Sequence, residues 1–298
     1  MSENNLNSEF EMQARVQKSF AEATQKKVEN HQALNDKEIE HLCPVAFKST
    51  MTQKEISKLG LSKHYSFVPT MNVVNDLRAL GYEVVDAKQV KARKKSTNGY
   101  QKHLITFEHP KHKAENKEEY PQILLTNSHD GSNAFTLSAG IFRLVCSNGL
   151  VIKAEDYGSA RLVHKGYSFE AVQKLVKEFE KTADEALTKV KAMKEVDLTK
   201  DLQIEFAKEA ALLRFKSKSF NMDNIGKVVD LDDILNAERK EDEGNKLWEV
   251  FNRVQESIIN GKFHYLSNTK RRKARPIKNF KQNIEVNKKL SELAFALV

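Results

Sequence analysis

The fold is decided by residues 127–150, which read NSHDGSNAFTLSAGIFRLVCSNGL. Two turn dipeptides, Asp130-Gly131 and Asn148-Gly149, enclose a mainly apolar run, and a third, Asn98-Gly99, lies upstream. Asp-Gly and Asn-Gly favour type I′ hairpin turns because both central residues of such a turn need a positive φ. The sequence therefore predicts a meander of antiparallel strands.

Alternating apolar residues place the strands on either side of these turns. The first two strands flank the Asn98-Gly99 turn, the third leads into Asp130-Gly131, and the last two flank Ser147-Asn148-Gly149. The predicted strands are 82–92, 100–108, 122–127, 135–146 and 150–153.

The predicted helices surround this meander. Thr70 is a candidate N-cap for a helix over 71–80, which Gly81 ends. A longer helix carries apolar residues at intervals of three and four, which predicts one continuous seam. The seam consists of Phe169, Val172, Val176, Phe179, Ala183, Ala186, Val190 and Met193. Such a seam fits either a coiled coil or a core helix, and the neighbouring sheet favours the core.

The predicted fold class is therefore α+β, an antiparallel β-meander packed against a long helix, with a helical C-terminal region. Residues 1–40 form a polar, partly ordered arm, residues 41–215 form the α+β core, and residues 216–298 form a linker and the helical basic C-terminal region. No stretch of eighteen apolar residues occurs and the N-terminus is polar, so we expect neither a membrane span nor export, and hence a cytoplasmic protein.

Positive charge is segregated along the chain. The formal net charge is +8 over 298 residues, yet residues 88–117 hold nine Lys or Arg against two Glu, and residues 262–289 hold ten against one. An acidic segment, Asp230–Glu243, separates the two clusters. Segregated positive charge indicates a polyanionic partner, although a lysine-rich surface also serves solubility.

The two clusters supply the candidate binding residues. Phosphate contacts are predicted for the first basic cluster, Lys91, Arg93, Lys94, Lys95 and Lys102, and for the second basic cluster, Lys270, Arg271, Arg272 and Arg275. Tyr100 and His103 are predicted to stack on bases. No zinc-finger spacing or basic recognition helix is present, so base-specific readout of a duplex is not indicated.

One further basic residue, Arg143, lies in the apolar run Ile141-Phe142-Arg143-Leu144-Val145. A half-buried arginine needs a carboxylate, carbonyl groups or a bound anion as its partner. The sequence leaves both readings open: a structural ion pair, or a residue that anchors a phosphate inside the sheet.

An enzymatic reading would use His129 as a base with Cys146 or Ser147 as the nucleophile. That chemistry needs the two side chains within hydrogen-bond reach and a third group to orient them, which the spacing does not indicate. Asn127-Ser128-His129-Asp130-Gly131 equally fits a hydrogen-bonded turn. The nine histidines are scattered, without metal-ligand spacing. We therefore expect a non-enzyme with no metal and no cofactor.

Four ordered motifs carry a family resemblance. They are YSFVPT at 65–70, NSHDGS at 127–132, GIFRLVCSNGL at 140–150 and LWEVFNRVQE at 247–256. Together they resemble the phage/plasmid-like protein family catalogued as a domain of unknown function, of the DUF932 type, over roughly residues 43–298. The resemblance implies a mobile-element setting and brings no catalytic residues.

The predicted order of helix, meander and long helix is also similar to the core of single-strand annealing proteins. Fold analogy alone does not establish function. The resulting hypothesis is a non-catalytic phage or plasmid protein that binds single-stranded DNA, with a strand-annealing role in recombination or replication, as a homo-oligomeric ring or filament. The alternative is a protein-interaction factor of a mobile element that binds a host-defence or virion partner through the acidic segment.

Overall fold

The computed structural model describes residues 3–92, 94–115, 119–132, 135–143, 146–151, 167–215, 220–267 and 269–298. The chain divides into two compact units built from discontinuous segments. Unit 1 comprises Met1–Lys111, Ile123–Leu137 and Ala160–Leu175, and unit 2 comprises His112–Gln122, Ser138–Ser159 and Val176–Val298. The domain boundaries drawn from the sequence at residues 40 and 215 stay predictions.

The fold is α+β, as predicted. The helices are α1 (Glu3–Glu29), α2 (Asp36–Leu42), α3 (Gln53–Lys58), α4 (Thr70–Ala79), α5 (Pro110–Glu115), α6 (Phe169–Glu195), α7 (Lys200–Arg214), α8 (Ile225–Val228), α9 (Leu231–Leu235), α10 (Leu247–Asn260) and α11 (Phe280–Phe295). Short 3-10 helices cover Pro44–Phe47, Lys95–Thr97 and Lys240–Asp242.

The strands form an antiparallel meander and a separate ribbon. They are β1 (Glu83–Gln89), β2 (His103–Glu108), β3 (Glu119–Asn127), β4 (Thr136–Arg143), β5 (Cys146–Val151), β6 (His264–Ser267) and β7 (Lys270–Lys273). The first five lie in one sheet in chain order, which is the predicted meander, and β6 pairs with β7 alone. The β6–β7 ribbon was not predicted, because the C-terminal region was expected to be helical.

The predicted position of the last turn of the meander was wrong. Arg143 pairs with Cys146, so β4 and β5 are joined at residues 144 and 145, which lie outside the described residues. The same register pairs Ile141 with Leu150 and places Asn148-Gly149 inside β5. The turn preference of Asn-Gly is weaker than the register that strand pairing imposes, because a shift of one residue would reverse every side chain of β5.

The Asn98-Gly99 turn forms, but with a different geometry from the predicted type I′. Asn98 has φ −68° and ψ 129°, Gly99 has φ 87°, and the Tyr100 N–H donates to the Thr97 carbonyl over 3.2 Å. These values define a type II turn, in which glycine alone needs the positive φ. The strands are also shorter than predicted, because Gln89 pairs with His103 and no strand covers the described residues between them.

The seam of α6 is buried, which confirms the core interpretation. Every predicted seam residue except Phe169 is buried. Toward the end of α6, the Lys194 ammonium donates to Glu119 at the start of β3 over 2.9 Å. Glu119 also accepts from the indole N–H of Trp248 over 3.0 Å, which joins the meander to α10 within unit 2.

Helix α10 is the centre of unit 2 and is buried from Leu247 to Ile259 except at Glu249. It ends at Gly261, whose φ of 67° permits the left-handed turn. A Cβ at Gly261 would lie 2.7 Å from the carbonyl oxygen of Ala274, so only glycine allows the chain after the ribbon to pass this close. The Ala274 N–H donates to the Phe263 carbonyl over 2.9 Å, which joins the two strands of the ribbon at the end that follows α10.

A buried chain of hydrogen bonds holds unit 1 together. The amide of Asn127 donates to the Thr70 hydroxyl over 3.0 Å, and that hydroxyl lies 2.8 Å from Nε2 of His103. The predicted N-cap role of Thr70 is therefore wrong: α4 begins at Thr70 after Pro69, and no side chain caps it. The hydroxyl serves two buried partners instead of the helix terminus.

We expect Thr70→Val to destabilise the protein by about 1–3 kcal/mol, since it removes a hydroxyl from two buried polar groups without changing the side-chain shape. Urea unfolding followed by far-UV circular dichroism measures this loss. The control is Thr188→Val on exposed α6 surface, where the hydroxyl only donates to the Asp184 carbonyl. Equal effects of the two changes would contradict the buried chain.

A second prediction concerns Glu256 of α10, whose carboxylate accepts from the guanidinium of Arg239 over 2.9 Å and from Lys262 over 2.7 Å. Burial alone would raise the pKa of this carboxyl, but the hydrogen bonds and charges of Lys262 and Arg239 lower it below its usual 4.5. A carboxyl with a lowered folded pKa stabilises the fold above its unfolded pKa, and this contribution is lost as the pH falls through the folded value.

We therefore expect Glu256→Gln to lower the free energy of unfolding by about 2 kcal/mol at pH 7, with a difference from the wild type that shrinks as the pH falls below 4.5. The fluorescence of Trp248, the single tryptophan, reports unit 2 in a urea titration at each pH. Glu241→Gln, a charge loss at an exposed position, is the control. A difference that stays constant with pH would contradict the ion pairs.

Candidate functional site

The first basic cluster lies on an ordered loop of unit 1. Lys91, Lys94 and Lys95 are exposed and Lys102 is half-buried, whereas Arg93 lies outside the described residues. The loop is held by the buried Gln101 side chain, whose carbonyl oxygen accepts from the Gly99 N–H over 2.6 Å. Lys91, Lys94 and Lys95 are thus accessible to phosphates.

The two predicted stacking residues are engaged within the protein. The Tyr100 hydroxyl donates to Glu55, and the Lys48 ammonium lies 4.5 Å from the centre of the Tyr100 ring. Burial and the hydrogen bond to Glu55 raise the pKa of Tyr100. One face of the ring is thus covered by a cation, which leaves only the opposite face for a base.

The stacking prediction for His103 was wrong, since only 1% of its surface is exposed. Burial lowers the pKa of His103 to about 4, so the ring is neutral near pH 7. Nδ1 lies 3.0 Å from the Gln101 carbonyl, which can only accept, so Nδ1 carries the proton. Nε2 is then the acceptor for Thr70, and the ring belongs to the buried chain rather than to a binding surface.

The Asn127–Ser132 motif also has a structural role in unit 1. Asn127, Ser128 and His129 are fully buried, and Nε2 of His129 donates to the Val45 carbonyl over 3.2 Å. The Phe67 ring lies 4.8 Å from the His129 ring, so the motif at 65–70 and the motif at 127–132 meet in one core. Gly131, with φ 69°, turns the chain after them.

Arg143 lies at the end of β4, where its backbone pairs with Cys146. Its side chain is outside the described part of the structure, so both interpretations of Arg143 stay predictions.

The second basic cluster lies on the β6–β7 ribbon of unit 2. Tyr265 pairs with Arg272 and Leu266 pairs with Arg271, and Lys270, Arg271, Arg272 and Lys273 are all exposed. Because side chains alternate along a strand, Lys270 and Arg272 lie on one face of the ribbon and Arg271 and Lys273 on the other. Arg275 follows the ribbon and is also exposed.

Arg271 is paired with the acidic segment. Its guanidinium donates to Asp230 over 2.9 Å and lies 3.7 Å from the Asp233 carboxylate. The Asp233 carboxylate accepts from the backbone N–H and from Nδ1 of His264, over 2.9 and 2.7 Å. Burial would raise the pKa of Asp233, but these hydrogen bonds and the charge of Arg271 lower it. The acidic segment therefore folds against the ribbon instead of forming a linker.

The sequence interpretation missed the residues that surround Arg271. Tyr265 and Leu266 were not considered, because the basic run was read from residue 269 onward without its partner strand. The alternation His264-Tyr265-Leu266-Ser267 before Asn268-Thr269 was a strand signal, although four residues give a weak one. Among the described residues, no group of three or more His, Cys, Asp or Glu is placed to hold a metal ion.

Comparison with known proteins identifies relatives. A model of the family described as "Domain of unknown function (DUF932)" matches residues 60–291. The chain is 29% identical to "UPF0380 protein YafZ" of Escherichia coli K12, over 80% of this chain and 84% of that protein. It is 30% identical to "UPF0380 protein YfjQ" of the same organism, over 67% of this chain and 70% of that protein. No solved structure shows a significant match.

The pairing of Arg271 generates a test with a matched control. We expect Asp230→Asn to require more salt for elution from immobilised heparin than Asp232→Asn, because both changes remove one negative charge but only the first releases a guanidinium for a polyanion. The asparagine oxygen can still accept from the Asp233 N–H at the start of α9. Identical elution of the two variants would contradict the Asp230–Arg271 pair.

Proposed function

The chain belongs to the family described as the domain of unknown function DUF932, and from that premise we propose that it binds single-stranded nucleic acid without catalysing a reaction on it. The ribbon carries this proposal. Four consecutive basic side chains, Lys270 to Lys273, are exposed on it, and within the described residues Arg271 alone of the four is paired with a carboxylate. Exposed, unneutralised cations on a rigid ribbon provide what phosphate binding requires.

The first basic cluster supports the same function from unit 1. Lys91, Lys94 and Lys95 are exposed and, among the described residues, form no ion pair with a carboxylate. A phosphate chain can therefore bind them without displacing a carboxylate.

His103 does not contribute a stacking surface to this proposal because it is buried, and Lys48 covers one face of the Tyr100 ring. The aromatic side chain of the ribbon itself is Tyr265, which is half-buried. We therefore assign the recognition of bases to the ribbon rather than to the loop.

The proposal includes the wider role inferred from the resemblance. It assigns the protein to a phage or plasmid, in the cytoplasm, with strand annealing in recombination or replication and assembly into a homo-oligomer. The seam of α6 is buried in the chain's own core, so self-association would need another surface. Among the described residues, no helix is both long and apolar enough to cross a membrane.

The second candidate function is an interaction factor that binds a protein through the acidic segment. The observation in its favour is that Asp232, Glu241 and Glu243 are exposed there. The observation against it is that other acidic residues of the segment are used internally, including Asp233 at the ribbon and the buried Asp242. Binding that persists at high salt would favour this candidate, because a mainly apolar interface is less sensitive to salt.

Fluorescence anisotropy of a labelled single strand and its matched duplex, across a series of salt concentrations, tests the proposal. We expect tighter binding to the single strand and a steep fall of the association constant as salt increases. Lys270→Gln should reduce the slope of log K against log salt by about 0.7, the value for one lost contact with a single strand.

Lys200→Gln is the matched control, since it makes the same substitution at an exposed lysine of unit 2 outside the ribbon. We expect it to leave the slope unchanged. Absence of binding to either form at low salt would overturn the proposed function, and equal slopes for the two variants would exclude the ribbon as its site.

A further inference from the structure

The two faces of the β6–β7 ribbon differ in how far their basic side chains are neutralised. Tyr265 pairs directly with Arg272, and directly opposed residues of an antiparallel pair have their side chains on the same face. Lys270 lies two residues before Arg272 and therefore shares this face, which we call the Tyr265 face. Arg271 lies on the opposite face, where two carboxylates of the acidic segment neutralise it.

A further arginine, Arg214, reaches the ribbon from the end of α7. The Phe215 ring, which follows α7, meets the Tyr265 ring edge to face, with centroids 5.2 Å apart. The end of α7 is therefore packed against the Tyr265 face. The Arg214 guanidinium donates to the carbonyl of Arg275, just after β7, over 2.5 Å. This contact places Arg214 at the base of the ribbon, the end that is joined to α10.

Arg214 carries a half-buried charge without a carboxylate to balance it. Burial lowers the pKa of its guanidinium because a desolvated charge is less stable than a hydrated one, and the nearby Tyr265 offsets part of this effect. In the described part of the chain, the hydrogen-bond partner of Arg214 is the Arg275 carbonyl alone. A guanidinium has five N–H donors, so most of them remain available to a ligand.

The position of Arg214 also has a structural explanation, since a cation in the last turn of a helix interacts favourably with the helix dipole. Arg78 fills this structural role in unit 1. It lies in the last turn of α4, donates to the Leu34 carbonyl over 3.3 Å and is neutralised by Asp36. Arg214 shares the helix position and the carbonyl partner but lacks the carboxylate. The uncompensated charge is the feature that indicates an anionic ligand.

The arrangement of the cations indicates a chain of anions rather than one small anion. Arg214 lies at the base of the ribbon, Arg272 beside Tyr265, and Lys270 at the tip, so they form a row along the Tyr265 face. A small anion would contact one or two of them, whereas a phosphate backbone can engage all three. Guanidinium groups suit phosphate because they can form two parallel hydrogen bonds to its oxygens.

We propose that the backbone of a single strand runs along the Tyr265 face, with a phosphate anchored by Arg214 and the following phosphates bound by Arg272 and Lys270. The proposal rests on the proposed function and assigns it to one face of the ribbon and to a residue outside both basic clusters. The opposite face carries carboxylates beside Arg271, so it is the less favourable face for a polyanion. Contacts of this kind position the strand without reading its sequence.

The experiment measures the association constant of the full chain for a labelled single strand across a series of salt concentrations. We expect Arg214→Gln and Arg272→Gln each to reduce the slope of log K against log salt by about 0.7, the value for one lost phosphate contact. Lys273→Gln is the matched control, since Lys273 is exposed on the opposite face of the same strand. We expect it to leave the slope unchanged.

Two further variants separate phosphate binding from the helix-terminal role of Arg214. Arg78→Gln removes the corresponding arginine of α4 and should leave the slope unchanged. Arg214→Lys keeps the charge and should keep the slope. If urea unfolding shows that Arg214→Gln does not fold, Arg272→Gln at an exposed position provides the test, and an unchanged slope in that variant overturns the proposal.

The outcomes separate this proposal from the proposed function. Equal slopes for Arg272→Gln and Lys273→Gln would overturn the choice of face and leave phosphate binding intact. An unchanged slope in a folded Arg214→Gln would overturn the anchor. No binding of the strand at low salt would overturn the proposed function itself. Displacement of the strand by an equal concentration of a poly-glutamate peptide of the same charge would overturn the assignment of this face to phosphates.

Discussion

Helix α10 is buried along nearly its whole length, and its polar side chains must therefore find their partners inside the protein. Arg253 donates to the carbonyl groups of Asp242 and Gly244, each over 2.7 Å. Glu256 is held by Arg239 from the same preceding segment. An unpaired buried charge would cost several kcal/mol. The buried charges of α10 find their partners only if the preceding segment folds against this helix. The acidic segment is thus part of the core of unit 2.

This constraint determines what the ribbon can do. Because the acidic segment is fixed to α10, Asp230 and Asp233 lie at defined positions. The Asp233 carboxylate accepts hydrogen bonds from both the backbone N–H and the ring of His264. The ribbon is positioned by carboxylates, yet it exposes basic side chains. Carboxylates and cations therefore stand side by side on this surface of unit 2. An acidic segment that served only as a flexible linker would not supply this geometry.

The features that the sequence predicted correctly are those set by long repeating patterns. The seam of α6 runs over many turns, and seven of its eight predicted positions are buried. His103 shows how a shorter pattern was misread. It shares its strand face with Ile105 and Phe107, both fully buried, so the period of two already indicated an inward side chain. The basic residues nearby instead favoured a binding role for His103. The turn predicted at Asn148-Gly149 was wrong for a different reason, because strand register is a property of the whole sheet and not of a dipeptide.

The ion pair between Arg271 and Asp230 is compatible with a binding role, because it is weak. Arg271 is 61% exposed, and exposed pairs contribute about 0–1 kcal/mol. A phosphate oxygen can replace the carboxylate at little cost, since the guanidinium forms equivalent charge-assisted hydrogen bonds to either anion. The carboxylate keeps the side chain oriented when no ligand is bound, which reduces the rotamer entropy lost on binding. The exposed pair therefore leaves Arg271 accessible to an anion, whereas the ion pairs of Glu256, whose carboxylate is only 7% exposed, hold the scaffold of unit 2.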